Sequence, residues 1–185
     1  LRLVVAITGA SGAIYGKRLV EVLVERGVEV HLVVTRAGEK VLEEEVGIGL
    51  HHFKALTPHI YREDDLEAPF ISGSFPTDGM VIAPCSLKTL GAIAHGFGEN
   101  IVTRGAEVAL KEGRPLILVP RETPLTAVHL ENMLRLARLG VVILPAMPGF
   151  YHKPRRIEDL VDFVVGKILD RLGIEHNLFH RWGVD

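Results

Sequence analysis

Four short stretches carry residues whose type and spacing suit chemistry on an anion. "TGASGAIYG" (8–16) sets Gly9, Ala10, Ser11 and Gly12 between an apolar run and a helical pattern. That is the context of a turn whose backbone N–H groups meet a phosphate at a helix N-terminus; the competing reading is a tight turn that simply needs glycine. "APCSLKT" (83–89) repeats the pattern, with Ser86 and Thr89 offering hydroxyl and backbone donors to a phosphate or the polar edge of a ligand. "PRETP" (120–124) puts Arg121 and Glu122 after another apolar run, between prolines that restrict the backbone, or else forms a surface ion pair. "PGFYHKP" (148–154) presents Tyr151, a hydrogen-bond donor suited to a phosphate.

Other chemistries fit less well. A dinucleotide site prefers G-x-G-x-x-G and an acid closing the second strand; here the glycines stand at 9, 12 and 16 and the second run ends in Thr35-Arg36. No Tyr-x-x-x-Lys pair is present for short-chain dehydrogenase chemistry. Cys85, the single cysteine, reads as a small apolar filler more readily than as a nucleophile. The nine histidines show no H-E-x-x-H or similar spacing, so no metal is expected. Trp182, the only tryptophan, says little by itself.

These stretches need a scaffold. Five runs, 1–8, 28–35, 79–84, 115–120 and 140–145, are rich in β-branched residues and nearly continuous, as strands buried on both faces are. Helical patterns lie between them at about 12–26, 36–46, 86–95, 99–112, 124–139 and 157–172, the fifth with Thr123 as N-cap, Pro124 at its first position and Gly140 as its stop. The alternation predicts an α/β fold: a Rossmann-like (flavodoxin-like) parallel sheet with helices on both faces. Ligands then bind beyond the carboxyl ends of the strands, where all four stretches fall. The region 47–78 reads as a long loop with one short strand near 58–61.

The whole chain sets outer limits. Its 185 residues suit one domain over 1–185, with a C-terminal tail at 173–185. A net charge of -2 makes no electrostatic case for nucleic acid, and no apolar stretch reaches the roughly 18 residues of a membrane span. One cysteine and no signal-peptide pattern point to a cytoplasmic setting.

With "TGASGAIYG", "SGSF", "GMVIAPCSLKT", "LKEGRPLILVPRETPL", "HLENMLRL" and "PGFYHKP" in this order, the sequence resembles the UbiX family of flavin prenyltransferases over nearly its whole length. The resemblance implies that reduced FMN and dimethylallyl phosphate react, without a metal, to give phosphate and prenyl-FMN, the cofactor of a UbiD-type decarboxylase. It places FMN on Gly9, Ala10, Ser11, Thr35, Ser86, Leu87, Lys88, Thr89 and Arg121. It places dimethylallyl phosphate on Arg104, Lys111, Glu122, Tyr151 and Lys167, and makes Glu122, Glu45, Ser11, Tyr151 and Trp182 catalytic. It also implies a homo-oligomer, a dodecamer, with sites completed at subunit interfaces. Alternatives are a flavoprotein of the cysteine-decarboxylase type and a non-catalytic FMN-binding accessory subunit.

Overall fold

The computed structural model describes residues 1–183; the last two residues of the expected tail lie outside the described residues. Six parallel strands form one sheet: β1 (Arg2–Ile7), β2 (Glu29–Val34), β3 (Ile60–Arg62), β4 (Gly79–Cys85), β5 (Leu116–Pro120) and β6 (Val142–Ile143), in the order β3-β2-β1-β4-β5-β6. Seven helices accompany them among the described residues: α1 (Ala13–Glu25), α2 (Arg36–Val46), α3 (Leu50–Lys54), α4 (Leu87–Ala94), α5 (Ile101–Lys111), α6 (Ala127–Arg138) and α7 (Ile157–Leu172).

The two faces follow from the strand period of two. On β1, Leu3, Val5 and Ile7 enter a core with Leu19 and Leu23 of α1 and Val161, Val165 and Ile168 of α7. Val4 and Ala6 enter the opposite core with Leu90 of α4, Val102 and Ala106 of α5, and Leu136 of α6. Each fully buried aliphatic side chain contributes about 1.5–3 kcal/mol, so the near-continuous apolar runs are what a doubly covered sheet requires.

The expected architecture is present, with local corrections. The strand foreseen near 58–61 is β3 at the sheet edge, and the 47–78 region also holds α3 and a 3₁₀ turn at Pro69–Ile71. The run at 140–145 pairs only over Val142–Ile143. The fifth helix begins later than expected: its cap is Thr126, not Thr123, and Pro124 lies before it. Thr126 accepts from the His129 amide while the His129 ring accepts from the Thr126 amide, a reciprocal cap unavailable to Thr123. Residues 121–125 are thereby left as a loop over the end of β5.

Strand order reverses between β1 and β4, which opens a crevice at their carboxyl ends. Thr8 ties the two ends together: its hydroxyl donates to the Pro84 carbonyl at 2.7 Å and accepts from the Ser86 amide at 2.8 Å.

Candidate active site

A cleft of about 380 Å³ lies over this crevice, lined by Gly9, Thr35, Ala37, Ser86, Lys88 and Thr89 among others. Two helices start there. Thr35 caps α2 by accepting from the Gly38 amide at 3.0 Å, and Ser86 caps α4 by accepting from the Thr89 amide at 3.2 Å. The Ser86 hydroxyl also donates to that of Thr89 at 3.0 Å. Helix starts carry partial positive charge and amides without intrahelical acceptors, so two of them converging make an anion site. Gly9 keeps it open, because a Cβ there would run into the Cβ of Ala37. The cations at the rim, Arg36 and Lys88, pair with Asp64 at 3.0 Å and Glu99 at 2.9 Å. Such exposed pairs hold little energy, so both side chains can turn to a phosphate at small cost.

The start of α1 differs from the expectation of a phosphate cradle. Gly12, at φ 107° where L side chains are strained, occupies its cap position without a side chain to close the turn. Glu45, from the last turn of α2, does so instead, accepting from the Gly12 and Ala13 amides at 2.8 and 3.2 Å. Burial pushes the Glu45 carboxyl up, but hydrogen bonds from Ser11 and these two amides, with the nearby Arg121 charge, outweigh it and hold the group below the usual range. The carboxylate of this chain therefore occupies the α1 donors, whereas at the start of α2 Glu63 reaches only the Arg36 amide, at 3.4 Å. Ala10 is buried beside this turn, and the Ser11 carbonyl accepts from Arg121 Nε at 3.1 Å.

Arg121 and Glu122 enter a smaller cleft of about 100 Å³ with Leu125, Met133, Ala146 and Met147. Glu122 accepts from the Thr123 amide at 2.9 Å, which folds its carboxylate back over the loop. After β6 the chain presents Tyr151, whose ring meets Trp182 edge-on at 5.7 Å and Phe163 of α7 at 5.8 Å. The tail that carries Trp182 is anchored on α7. Asp170 receives Arg181 at 2.7 Å and His176 at 3.0 Å, and Lys167 stands 3.6 Å from the same carboxylate. Arg181 first, and His176 after it, hold the Asp170 carboxyl below its ordinary range against the opposing effect of burial.

Within one chain, then, Gly9, Thr35, Lys88 and Thr89 line one cleft, Ser86 and Leu87 open α4 there, Ser11, Glu45 and Arg121 meet at the α1 start, and Tyr151 meets Trp182. Arg104 and Lys111 are not brought to these groups. They lie on α5, with Lys111 paired to Glu112 at 2.8 Å and Arg104 packed near Gly98. Cys85 is fully buried and its thiol is pushed far up by burial, as suits a filler. Sequence reasoning missed Thr8 as the stitch between strands, although its place just after β1 marked it. It also missed Asp170, His176 and Arg181, whose role depends on a chain reversal that no spacing reveals. The histidine spacings predict no metal, yet the ligand atoms of Glu29, His31 and His59 lie within 4.8 Å of one another.

The Flavoprotein family model matches residues 1–169. A protein of Methanocaldococcus jannaschii named flavin prenyltransferase UbiX is 48% identical over 99% of both chains. Among solved structures, a dodecameric FMN-dependent UbiX-like decarboxylase of Escherichia coli O157:H7 superposes with a TM-score of 0.96 at 44% identity, covering all of both chains. AnUbiX in complex with FMN and dimethylallyl pyrophosphate gives 0.96 at 44% identity, covering 99% of this chain and 97% of that one. The FMN-dependent cysteine decarboxylase TvaF, at 22% identity, a TM-score of 0.63 and 77% of this chain, shares the fold alone. This chain, with its helix-capped crevice between β1 and β4, belongs to the Flavoprotein family and within it to the UbiX flavin prenyltransferases.

Proposed function

We propose that this chain is a flavin prenyltransferase that joins the dimethylallyl group of dimethylallyl phosphate to N5 and C6 of reduced FMN and releases phosphate. The observation that carries this reading is the pair of clefts at the carboxyl ends of the strands: an anion site built from two helix starts, and a smaller, largely apolar cleft that Arg121 and Glu122 enter. Bound reduced FMN supplies an electron-rich ring that accepts the prenyl carbon.

The residues of the chain do the rest. The capped starts of α2 and α4, with Gly9, Thr35, Ser86, Leu87, Lys88 and Thr89, hold the FMN phosphate. Ala10, Ser11 and Arg121 position the ring. Arg121, Lys167 and the Tyr151 hydroxyl, joined by Arg104 and Lys111 of neighbouring copies, meet the charge that grows on the leaving phosphate. Trp182, on its tail spanning 173–185, offers an aromatic face to allylic positive charge. Glu122 takes up a proton displaced from the flavin, whereas Glu45, held ionised by its hydrogen bonds, orders Ser11 and the α1 turn. The assembly is a dodecamer, the setting is the cytoplasm, and the product passes to a UbiD-type decarboxylase.

The test is to mix the purified protein anaerobically with reduced FMN and dimethylallyl monophosphate and to extract the flavin for mass spectrometry. A flavin heavier by one five-carbon unit is the expected result. Bound but unmodified FMN would overturn the proposal and favour cysteine decarboxylation or an accessory role.

A further inference from the structure

At the other half of β2, away from the crevice, two histidines and a glutamate stand together with no part in the flavin chemistry. Glu29 and His31 are two residues apart on the strand and so share one face. His59 immediately precedes β3, and its carbonyl accepts from the Leu32 amide at 2.8 Å, which fixes its backbone beside His31. The His31 Nε2 atom lies 2.9 Å from Glu29 Oε1, and the His59 Nε2 atom lies 4.0 Å from that oxygen. The imidazoles stack with centroids 4.4 Å apart, nearly parallel. Taking about 3.3 Å per strand residue, His31 is roughly 13 Å and Glu29 roughly 20 Å from Thr35 along β2.

We propose that Glu29, His31 and His59 form a binding site for one divalent transition-metal ion of the zinc class, clamping β2 to the edge strand β3. Two imidazole nitrogens and one carboxylate oxygen are a donor set suited to such ions, with water completing the coordination. Bonds of about 2.0–2.1 Å in a tetrahedron separate ligand atoms by about 3.3 Å. His31 and Glu29 are already slightly closer than that. His59 is half-exposed, and its Nε2 at 4.0 Å from Glu29 Oε1 must come closer by less than an ångström to join the set.

One neighbour supports the site and one competes with it. His31 Nδ1 is 3.0 Å from the Tyr61 hydroxyl. A ligating histidine needs a partner on its other nitrogen, and a hydroxyl serves either tautomer because it can donate or accept. Free of metal, His31 presents Nε2–H to Glu29 and Nδ1 accepts from Tyr61; with metal on Nε2, the ring proton resides on Nδ1 and is donated to Tyr61. Opposing this is Arg2, whose Nε and second guanidinium nitrogen hold Glu29 at 2.7 and 3.2 Å. Arg2 has other supports, the Pro76 carbonyl at 3.0 Å and the Phe75 ring at 4.7 Å from its guanidinium carbon, so it can release one carboxylate oxygen and stay in place. The metal thus competes with a guanidinium for one oxygen, and that competition distinguishes a site from an ordinary ion pair.

Calorimetric titration with Zn²⁺ of the full chain, free of any histidine tag and stripped with a chelator, tests the proposal. One ion per chain is expected, with affinity falling on the order of 100-fold in His59→Ala, a half-exposed position where folding is secure. Arg2→Gln is expected to bind tighter than the parent by about 10-fold, since it removes the competing cation. The unmodified chain is also expected to bind Co²⁺ with visible absorption bands, lost in His59→Ala, while prenyl transfer stays unchanged in that variant. Binding that does not saturate, equal affinity in His59→Ala, or no gain in Arg2→Gln would each overturn the site.

Discussion

Two glutamates near the crevice are chemically alike and structurally opposite. Glu45 accepts two backbone amides at the α1 start and, with Ser11 and Arg121 near, has its carboxyl held below the usual range. Glu122 accepts only the amide of the next residue and borders an open cleft. Substitution should separate them. Glu122→Gln keeps the fold and FMN affinity but lowers kcat by about 10²–10⁴-fold, the range for loss of a general acid or base. Glu45→Gln weakens a charge-assisted cap and costs about 1 kcal/mol of stability. Because folding depresses the Glu45 pKa, its stabilisation is complete above the ordinary glutamate value of 4.5 and is lost as pH falls through the folded value. Denaturant midpoints across that pH range should therefore converge for the parent and Glu45→Gln at the acid end. A constant gap between the two, or a Glu122→Gln enzyme with undiminished kcat, would reverse these assignments.

At the scale of elements, the strands and most helices were legible because their signals are local. β-branched runs such as "LVVAI" and "LILV" read as strands, and Thr35 and Ser86 stand just before α2 and α4 as caps should. What escaped was set either by a choice between similar local signals or by partners further along the chain. Thr123 and Thr126 both resemble caps, and only the reciprocal bond with His129 chooses between them. The α1 turn looked like a phosphate cradle because nothing local reveals that Glu45, 33 residues away from Gly12, fills it. The tail belongs to the same class: Asp170 on α7 gathers His176 and Arg181 and so sets Trp182 beside Tyr151. Trp182 is the only tryptophan, so its fluorescence reports on this strap. The Asp170 carboxyl is depressed in the folded chain, so the anchorage is intact above the ordinary aspartate value of 3.8 and fails as pH falls through the lower folded value. Asp170→Asn should shift the emission at neutral pH toward that of the acid form. It should also reduce kcat/KM for prenyl transfer by about 10–100-fold, the effect of misplacing a group by around an ångström. An unchanged emission would mean that the tail is held by its aromatic contacts with Phe163 rather than by charge.

For the whole molecule, the decisive fact is what one chain fails to bring together. Lys111 and Arg104 lie on α5, packed on the face of the sheet opposite α7, the helix against which Tyr151 rests. Large apolar side chains stand exposed on α6, among them Val128, Leu130 and Leu134, with Phe97, Met147 and Phe150 elsewhere. A helix face of that kind calls for cover, and the E. coli relative is a dodecamer. If neighbouring copies bring Lys111 to the Tyr151 and Lys167 of this chain, each site draws its phosphate ligands from more than one protomer. Two inactive variants should then repair one another. Lys111→Ala and Tyr151→Phe, each alone depressed in prenyl transfer, are dissociated, mixed in equal amounts and reassembled. When a site takes Lys111 from one protomer and Tyr151 from another at random, about one site in four receives both native residues, and activity returns to that fraction of the parent value. Mixing without dissociation should restore nothing for as long as the oligomers stay intact. Failure to recover after reassembly, with size and light scattering showing mixed oligomers, would mean that both residues act within one chain and that α5 must move to reach the site. Recovery would make assembly a condition of catalysis, so that Leu134→Glu, on the exposed face of α6, should abolish turnover while leaving the circular dichroism of the chain intact.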